Sequence, residues 1–121
     1  GLNFKETFPV DISLKYTAIE NGNFQVTEVY TTDGLNRKAN LKVLEDDRNF
    51  FPEYNGSLLV REGLFEEMAE VAPDLRDILS LLSGTMDNEK MTDMTYAVDV
   101  EGRSVEEVAR EFLVENGLLD A

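Results

Sequence analysis

The first 44 residues alternate between β-branched or aromatic runs and one amphipathic stretch, and this alternation limits the fold more than any other feature of the chain. Residues 3–10 predict a short strand, residues 11–21 a helix capped by Asp11, and residues 23–32 a second strand. The predicted apolar stripe of the helix is Ile12, Tyr16 and Ile19. The order strand, helix, strand predicts an α/β unit with parallel strands.

The amino-acid composition changes near residues 45–62. This change divides the chain into an N-terminal α/β part and a C-terminal helical part. Before the shift, residues 35–39 predict a helical turn and residues 41–44 a short buried strand. Residues 58–60 predict another strand, and four helices are predicted after Glu62. Their apolar stripes are Leu64, Phe65 and Met68; Leu75, Ile78, Leu79 and Leu82; Met91, Met94 and Val98; and Val105, Val108, Phe112 and Leu113. Ser104 with Glu107 is the capping box of the last helix.

The charge and the missing residue types exclude several classes of function. The chain has 25 Asp and Glu against 11 Lys and Arg, a net charge of −14. We therefore expect no nucleic-acid partner, because phosphate binding needs clustered cations. A cationic ligand suits this field, although a high negative charge also simply favours solubility. The chain has no cysteine and no histidine, which excludes zinc–thiolate sites and histidine-based catalysis.

No motif indicates an enzyme, a cofactor or a metal. The chain has no glycine-rich phosphate loop and no nucleophile with a base to activate it. Asp46-Asp47 and Asp99-Val-Glu-Gly102 do not match the ligand spacing of a calcium loop, so solvated turns are the expected interpretation. We expect a non-enzymatic protein without cofactor or metal.

Two tyrosines are candidates for ligand recognition. Tyr30 ends a predicted strand, and in α/β sheets ligands bind at the carboxyl ends of strands. Tyr54 lies in an aromatic loop with Phe50 and Phe51. One interpretation makes both tyrosines half-buried core residues with solvated hydroxyls. The other makes them a cation–π wall for a quaternary ammonium, which has no N–H to donate.

Several motifs, in a specific joint order, resemble the binding proteins of glycine betaine/carnitine/choline ABC transporters, and the resemblance covers essentially the whole chain. The motifs are Val29-Tyr-Thr-Thr-Asp-Gly34, Leu41-Lys-Val-Leu-Glu-Asp-Asp47, Phe50-Phe-Pro-Glu-Tyr54, Tyr96-Ala-Val-Asp-Val-Glu-Gly102, Val105-Glu-Glu-Val-Ala-Arg-Glu-Phe-Leu113 and Gly117-Leu-Leu119.

The resemblance implies an α/β fold that is part of a bilobal type II periplasmic-binding protein, with three αβα layers and a helical C-terminal portion. Residues 1–44 would end the second lobe, and residues 45–121 would form the C-terminal, mostly helical part of the first lobe. The implied function is the capture of glycine betaine, choline or carnitine for an ABC importer, with the transporter permease as partner. The implied location is the extracellular face of the membrane, through a lipid anchor or fusion to the permease, or the periplasm.

The resemblance also implies binding residues. Tyr30 and Tyr54 match two tyrosines of the family's ligand cage, and Thr31, Thr32 and Asp33 are neighbours expected to contact the ligand. Tyr16 and Tyr96 do not match cage positions and keep a core interpretation. The front half of the family's sequence is missing here, and the chain has no start methionine, so we expect a piece of a longer protein that carries half a site.

Two other functions remain open from the sequence. The same fold could bind another betaine that contains an aromatic or imidazole ring. Alternatively, the chain could be an acidic interaction domain without a small ligand. We also expect the 121-residue chain by itself to form a homo-oligomer or to be only loosely ordered in its first 40 residues, because its strands and apolar faces lack their partners.

Overall fold

A computed structural model describes residues 3–52 and 54–120, and these residues form six α-helices and no β-strand. Gly1, Leu2, Glu53 of the aromatic loop and Ala121 lie outside the described residues. Within the described part, no helix is both long and apolar enough to span a bilayer. The helices are α1 (Lys15–Glu20), α2 (Leu35–Lys38), α3 (Leu64–Met68), α4 (Leu75–Ser80), α5 (Asn88–Asp99) and α6 (Val105–Glu115).

The first helix begins later than its apolar pattern predicts. The Asp11 carboxylate accepts hydrogen bonds from the Ser13 backbone N–H (2.9 Å) and hydroxyl (2.6 Å), which lower the pKa of Asp11. Asp11 therefore stabilises a turn before α1 rather than the helix itself. Ile12 is exposed, so its predicted place in the stripe is wrong, whereas Tyr16 is buried. Gly22, with a φ of +75°, follows the end of α1.

The helical C-terminal part of the chain agrees with the sequence pattern, except that Ile78 and Val105 of the predicted apolar stripes are exposed. Asp87 and Ser104 cap α5 and α6 by accepting the N–H of the residue three positions later, at 2.8 and 3.1 Å. The two helices pack against each other, and Ala97, Val108 and Phe112 are buried in this part of the chain. Removal of these side chains from water provides the main driving force for this packing.

The predicted strands are not formed within the described residues. Residues 3–10, 23–32, 41–44 and 58–60 have no strand pairing, and many of their apolar side chains face solvent; Leu59 is 96% exposed. A strand is stable only when a neighbour satisfies its backbone N–H and C=O groups, and these segments find no such neighbour among the described residues. The structure therefore differs from the predicted α/β unit and its αβα layers.

The short helix α2 is fixed to α5 by a close backbone approach at Gly34. A Cβ atom at Gly34 would lie 2.4 Å from the Tyr96 nitrogen and 2.5 Å from the Tyr96 Cα. The φ of Gly34 is −60°, which any residue can adopt, so the requirement for glycine is steric. This contact joins residues 1–44 to residues 45–121.

We expect Gly34→Ala to lower the free energy of unfolding by about 1–3 kcal/mol or more, because its methyl group would force α2 away from α5. Urea denaturation followed by circular dichroism measures this loss. Gly56→Ala is the matched control, since a Cβ atom there would meet nothing within 4 Å. Equal stability of the two variants would contradict the close approach.

We expect the 121-residue chain to associate with itself, because large apolar side chains such as Leu44, Phe50 and Leu59 are exposed on segments without strand partners. Sedimentation velocity measures the association, and Leu59→Glu should reduce it by placing a charge on the exposed segment. A monodisperse monomer at all concentrations would show that these surfaces do not associate.

Candidate ligand-binding site

The chain reverses direction at Tyr30, and one side chain holds this turn. The Tyr30 carbonyl accepts the Asp33 N–H at 3.2 Å and the side-chain amide N–H of Asn36 at 2.7 Å. Asn36 is buried on α2, so its amide is shielded from competing water. The backbone of Tyr30 is thereby fixed relative to α2.

The Tyr16 hydroxyl connects α1 to the same turn. It donates to the Asp33 carboxylate and lies 3.0 Å from Asn36 Oδ1. The other Asp33 oxygen accepts the Leu35 N–H at 3.0 Å. Burial, and next the hydrogen bond and charge of Asp33, raise the pKa of Tyr16 well above its usual range. Tyr16, Asp33 and Asn36 therefore form a partly buried polar network at the turn.

Thr95 on α5 holds the opposite side of the turn. Its hydroxyl accepts the Gly34 N–H at 3.0 Å and lies 2.8 Å from the Thr32 carbonyl, to which it donates. Arg37 and Asp93 add an ion pair of 2.9 Å between α2 and α5. Both side chains are about half exposed, so this pair contributes little stability.

Tyr54 reaches the site from the loop that follows residue 45. The Asp46 carboxylate orders this loop by accepting the N–H groups of Phe50 (2.9 Å) and Phe51 (2.8 Å). These two hydrogen bonds lower the pKa of Asp46. Asp46 therefore acts as an internal cap for the aromatic loop, which agrees with its predicted place in a turn.

The rings of Tyr30 and Tyr54 stack against each other although the two residues are 24 positions apart in the chain. Their ring centroids are 6.3 Å apart, with 23° between the ring planes. Tyr30 is 57% and Tyr54 83% exposed. A cation–π contact extends to about 6 Å from a ring centroid, so each of these exposed rings can attract a cation. The two tyrosines selected from the sequence are thus brought together on an accessible surface.

A lysine for which the sequence predicts no role lies beside this pair. Lys15, at the first position of α1, is buried, with its Nζ atom 4.9 Å from the Tyr16 ring centroid and 5.7 Å from that of Tyr30. The nearby rings stabilise the ammonium through their negative faces. No sequence pattern distinguishes Lys15 from a solvated helix residue, because its contact with Tyr30 joins distant segments of the chain.

An open cleft of about 1140 Å³ extends from Lys15 and Tyr30 along two segments without regular structure. Its walls are residues 4–10 and 23–30, with Phe50 and Phe51 at one side. Phe8 and Phe24 meet edge to face across it, with ring centroids 5.7 Å apart. The cleft lining is therefore mostly apolar, and its charged side chains are Lys5, Glu6, Lys15 and Glu28.

The other predicted site residues lie in the turn. Thr31 is exposed beside Tyr30, whereas the Thr32 carbonyl and both Asp33 carboxylate oxygens already accept hydrogen bonds. Tyr16 is buried and Tyr96 half buried, in agreement with their core interpretation. The residues that sequence reasoning missed are Lys15, Asn36 and Thr95, whose roles depend on contacts between distant segments. In residues 3–52 and 54–120, no three His, Cys, Asp or Glu side chains are grouped to hold a metal ion.

Comparison with known proteins decides the family. A family model described as the substrate binding domain of the ABC-type glycine betaine transport system matches residues 1–115. The chain belongs to this family. The resemblance is therefore confirmed, and the family is one of transport proteins with a type II periplasmic-binding fold rather than one known for enzymes.

Individual relatives agree with this assignment. The carnitine transport binding protein OpuCC of Listeria monocytogenes is 35% identical over 119 residues, which are 98% of this chain and 37% of that protein. A glycine-betaine-binding protein of Pseudomonas aeruginosa is 34% identical over 122 residues, covering 99% of the chain and 38% of that protein. The ergothioneine transport permease/ergothioneine binding protein EgtU of Helicobacter pylori is 34% identical over 116 residues, covering 96% of the chain and 20% of that protein. The chain thus spans well under half the length of these relatives.

We expect Tyr16→Phe to destabilise the protein by about 1.5–3 kcal/mol at neutral pH, because Asp33 would lose a hydrogen bond to its charged carboxylate. Urea denaturation measures the loss. Tyr54→Phe is the control, since Tyr54 is exposed and its hydroxyl has no hydrogen bond among the described residues. An equal stability of Tyr16→Phe and wild type would contradict the network.

The same variant has a defined pH signature. The folded state raises the pKa of Tyr16 above its usual value of 10.0, so its contribution is complete below pH 10 and is lost as the pH rises further. The stability difference between wild type and Tyr16→Phe should therefore be constant from pH 6 to 9 and decrease above pH 10. A difference that increases with alkaline pH would have the wrong sign.

Proposed function

We propose that this chain is part of an extracellular solute-binding domain that captures quaternary ammonium osmoprotectants, namely glycine betaine, choline or carnitine, for an ABC importer. The observation that carries the proposal is the exposed ring pair of Tyr30 and Tyr54, 6.3 Å between centroids, in a member of this family. The names of the Listeria and Pseudomonas relatives, for carnitine and glycine betaine, support the same ligand class.

The ring pair suits a quaternary ammonium for a physical reason. Such an ion carries its charge on methyl groups and cannot donate an N–H hydrogen bond, so aromatic faces are its best partners. Two rings on one accessible surface offer more of this attraction than one ring. The net charge of −14 adds a long-range field that favours the approach of a cation.

We assign the turn after Tyr30 to the same site. The turn contains Thr31, Thr32 and Asp33, which follow Tyr30 in the sequence. Hydrogen bonds of Asp33 and Thr32 fix this turn to α1, α2 and α5. A rigid turn lowers the entropy cost of holding Tyr30 against a ligand. In this proposal Thr31, Thr32 and Asp33 adjoin the ligand, and Tyr30 and Tyr54 contact its charge.

The proposed mechanism is capture between two lobes. Residues 1–44 would belong to the second lobe and carry Tyr30, and residues 45–121 would belong to the first lobe and carry Tyr54. A ligand that contacts both rings favours the closed arrangement, which is then delivered to the permease at the extracellular face of the membrane or in the periplasm. In the complete lobes, residues 3–10, 23–32, 41–44 and 58–60 would pair as strands of the αβα layers.

A second ligand class is favoured by one relative and by the cleft. The Helicobacter relative is an ergothioneine binding protein, and ergothioneine is a betaine with an imidazole-derived ring. The apolar walls that Phe8 and Phe24 contribute to the cleft could hold such a ring beside Tyr30. An acidic interaction domain without a small ligand is the third alternative, and it predicts no preference for quaternary over primary amines.

We expect Tyr54→Ala and Tyr30→Ala each to weaken glycine betaine binding by the complete gene product by about 1–2 kcal/mol, the energy of a desolvated cation–π contact. Isothermal titration calorimetry measures the change. Tyr30→Phe and Tyr54→Phe should lose less, because the ring face survives without the hydroxyl.

The control compares ligands and positions. A primary amine of similar size should not compete with glycine betaine, and Tyr96→Phe, a tyrosine that does not line the cleft, should leave binding unchanged. Equal losses for phenylalanine and alanine at positions 30 and 54 would assign binding to the hydroxyls and overturn the cation–π assignment. Binding of ergothioneine but not of glycine betaine would favour the second ligand class.

A further inference from the structure

The Thr95 hydroxyl makes two hydrogen bonds to the backbone of the turn that follows Tyr30. It accepts the Gly34 N–H at 3.0 Å and donates to the Thr32 carbonyl at 2.8 Å. Thr95 lies on α5, 61 positions after Gly34 and 63 positions after Thr32. The side chain is half buried, so water competes weakly for these two bonds. A helix that is distant in the sequence therefore holds the turn.

The same hydroxyl has a second acceptor in its own helix. The Thr92 carbonyl lies 3.1 Å from the Thr95 Oγ1 atom. A hydroxyl carries a single proton, so it donates to one of the two carbonyls at a time. If the turn moves away, the Thr95 hydroxyl rotates to the Thr92 carbonyl and keeps a donor bond, whereas the Gly34 N–H loses its acceptor. The contact is therefore easily released, and its loss affects the turn more than α5.

Release of this contact reaches the Tyr30 ring through the backbone. The side-chain amide of Asn36 holds the Tyr30 carbonyl at the start of the turn, at 2.7 Å, and Thr95 holds the end of the turn. The ring itself is 57% exposed, so its position depends strongly on the backbone that carries it. A ligand that binds a ring on a mobile turn must also order the turn, which costs conformational entropy. A released turn therefore binds ligand more weakly, although every atom that contacts the ligand is still present.

We propose that Thr95 is a positioning residue for the ligand site. Its hydroxyl holds the turn in the arrangement that presents the Tyr30 ring, and the bound ligand in return strengthens the hydrogen bond between Gly34 and Thr95. This proposal rests on the proposed function of the Tyr30–Tyr54 pair and adds a residue that acts through the turn, since Thr95 does not line the cleft. The two effects are reciprocal, because a contact that raises ligand affinity is stabilised by the ligand by the same factor.

The first test measures the glycine betaine affinity of the complete gene product by isothermal titration calorimetry. Thr95→Val replaces the hydroxyl with a methyl group and should weaken binding by about twofold to tenfold, which corresponds to the loss of one neutral hydrogen bond. Thr95→Ser keeps the hydroxyl and should bind as the wild type does. Thr92→Val is the matched control on the same helix, because the Thr92 hydroxyl bonds the Asn88 carbonyl of α5 at 2.7 Å, and its affinity should be unchanged.

A double-mutant cycle separates positioning from a general loss of stability. If Thr95 acts through the Tyr30 ring, Thr95→Val should change affinity little in a Tyr30→Ala protein, which has no ring to position. In a Tyr54→Ala protein the Tyr30 ring is still present, and Thr95→Val should keep its full effect. A purely structural role of Thr95 predicts the same loss in both backgrounds.

The second test uses the wild-type protein alone, so it does not depend on the folding of any variant. Hydrogen exchange followed by NMR measures the protection of the Gly34 N–H with and without saturating glycine betaine. The ligand should slow this exchange by about twofold to tenfold, the same factor as the affinity loss in Thr95→Val. The control amide is the Lys90 N–H in the first turn of α5, which donates to the Asp87 carboxylate at 2.8 Å and should change less.

The outcomes distinguish this proposal from the function on which it rests. A wild-type protein that does not bind glycine betaine overturns the proposed function, and the role of Thr95 with it. A wild-type protein that binds glycine betaine, with Thr95→Val binding equally well or with equal losses in the Tyr30→Ala and Tyr54→Ala backgrounds, overturns the role of Thr95 alone. An exchange rate of the Gly34 N–H that the ligand leaves unchanged does the same.

Discussion

The backbone approach of Gly34 to α5 is the contact on which the rest of the site depends. It leaves no room for a side chain, since a Cβ atom would lie 2.4 Å from the Tyr96 nitrogen. At this distance the Thr95 hydroxyl can bond both the Gly34 N–H and the Thr32 carbonyl. Thr95 and Asn36 therefore hold the turn from two sides, and the direction of the Tyr30 ring follows from a fixed backbone.

Electrostatic interactions act around this turn at two ranges. The exposed surface is strongly acidic, and water and salt screen those charges, so the field acts mainly on the approach of a ligand. Close to Tyr30, Asp33 accepts hydrogen bonds from Tyr16 and Leu35, and the Lys15 ammonium lies near the Tyr16 and Tyr30 rings. Aromatic faces, a hydrogen-bonded carboxylate and a lysine ammonium thus lie close together at this turn.

The helical part of the chain was predictable because its signals are local. A capping residue and an apolar stripe lie within one helix, so Ser104, Val108 and Phe112 are read correctly from sequence alone. The strand predictions depend on partners far away in the chain or outside it. Residues 41–44 and 58–60 have strand-like composition, but composition cannot supply the neighbour that a strand needs.

The sequence by itself determined the family and the helices of the C-terminal part, and it selected Tyr30 and Tyr54 as candidates. Motifs in a fixed order and local periodicity need no knowledge of distant contacts. Only the tertiary structure decided that Tyr30 and Tyr54 meet, and that Lys15 is buried against one of them. The same holds for Asn36 and Thr95, which look like ordinary polar helix residues in the sequence. Their roles arise when α1, α2 and α5 pack around one turn. This packing buries polar groups, and burial strengthens their hydrogen bonds and charge interactions because water no longer competes for them.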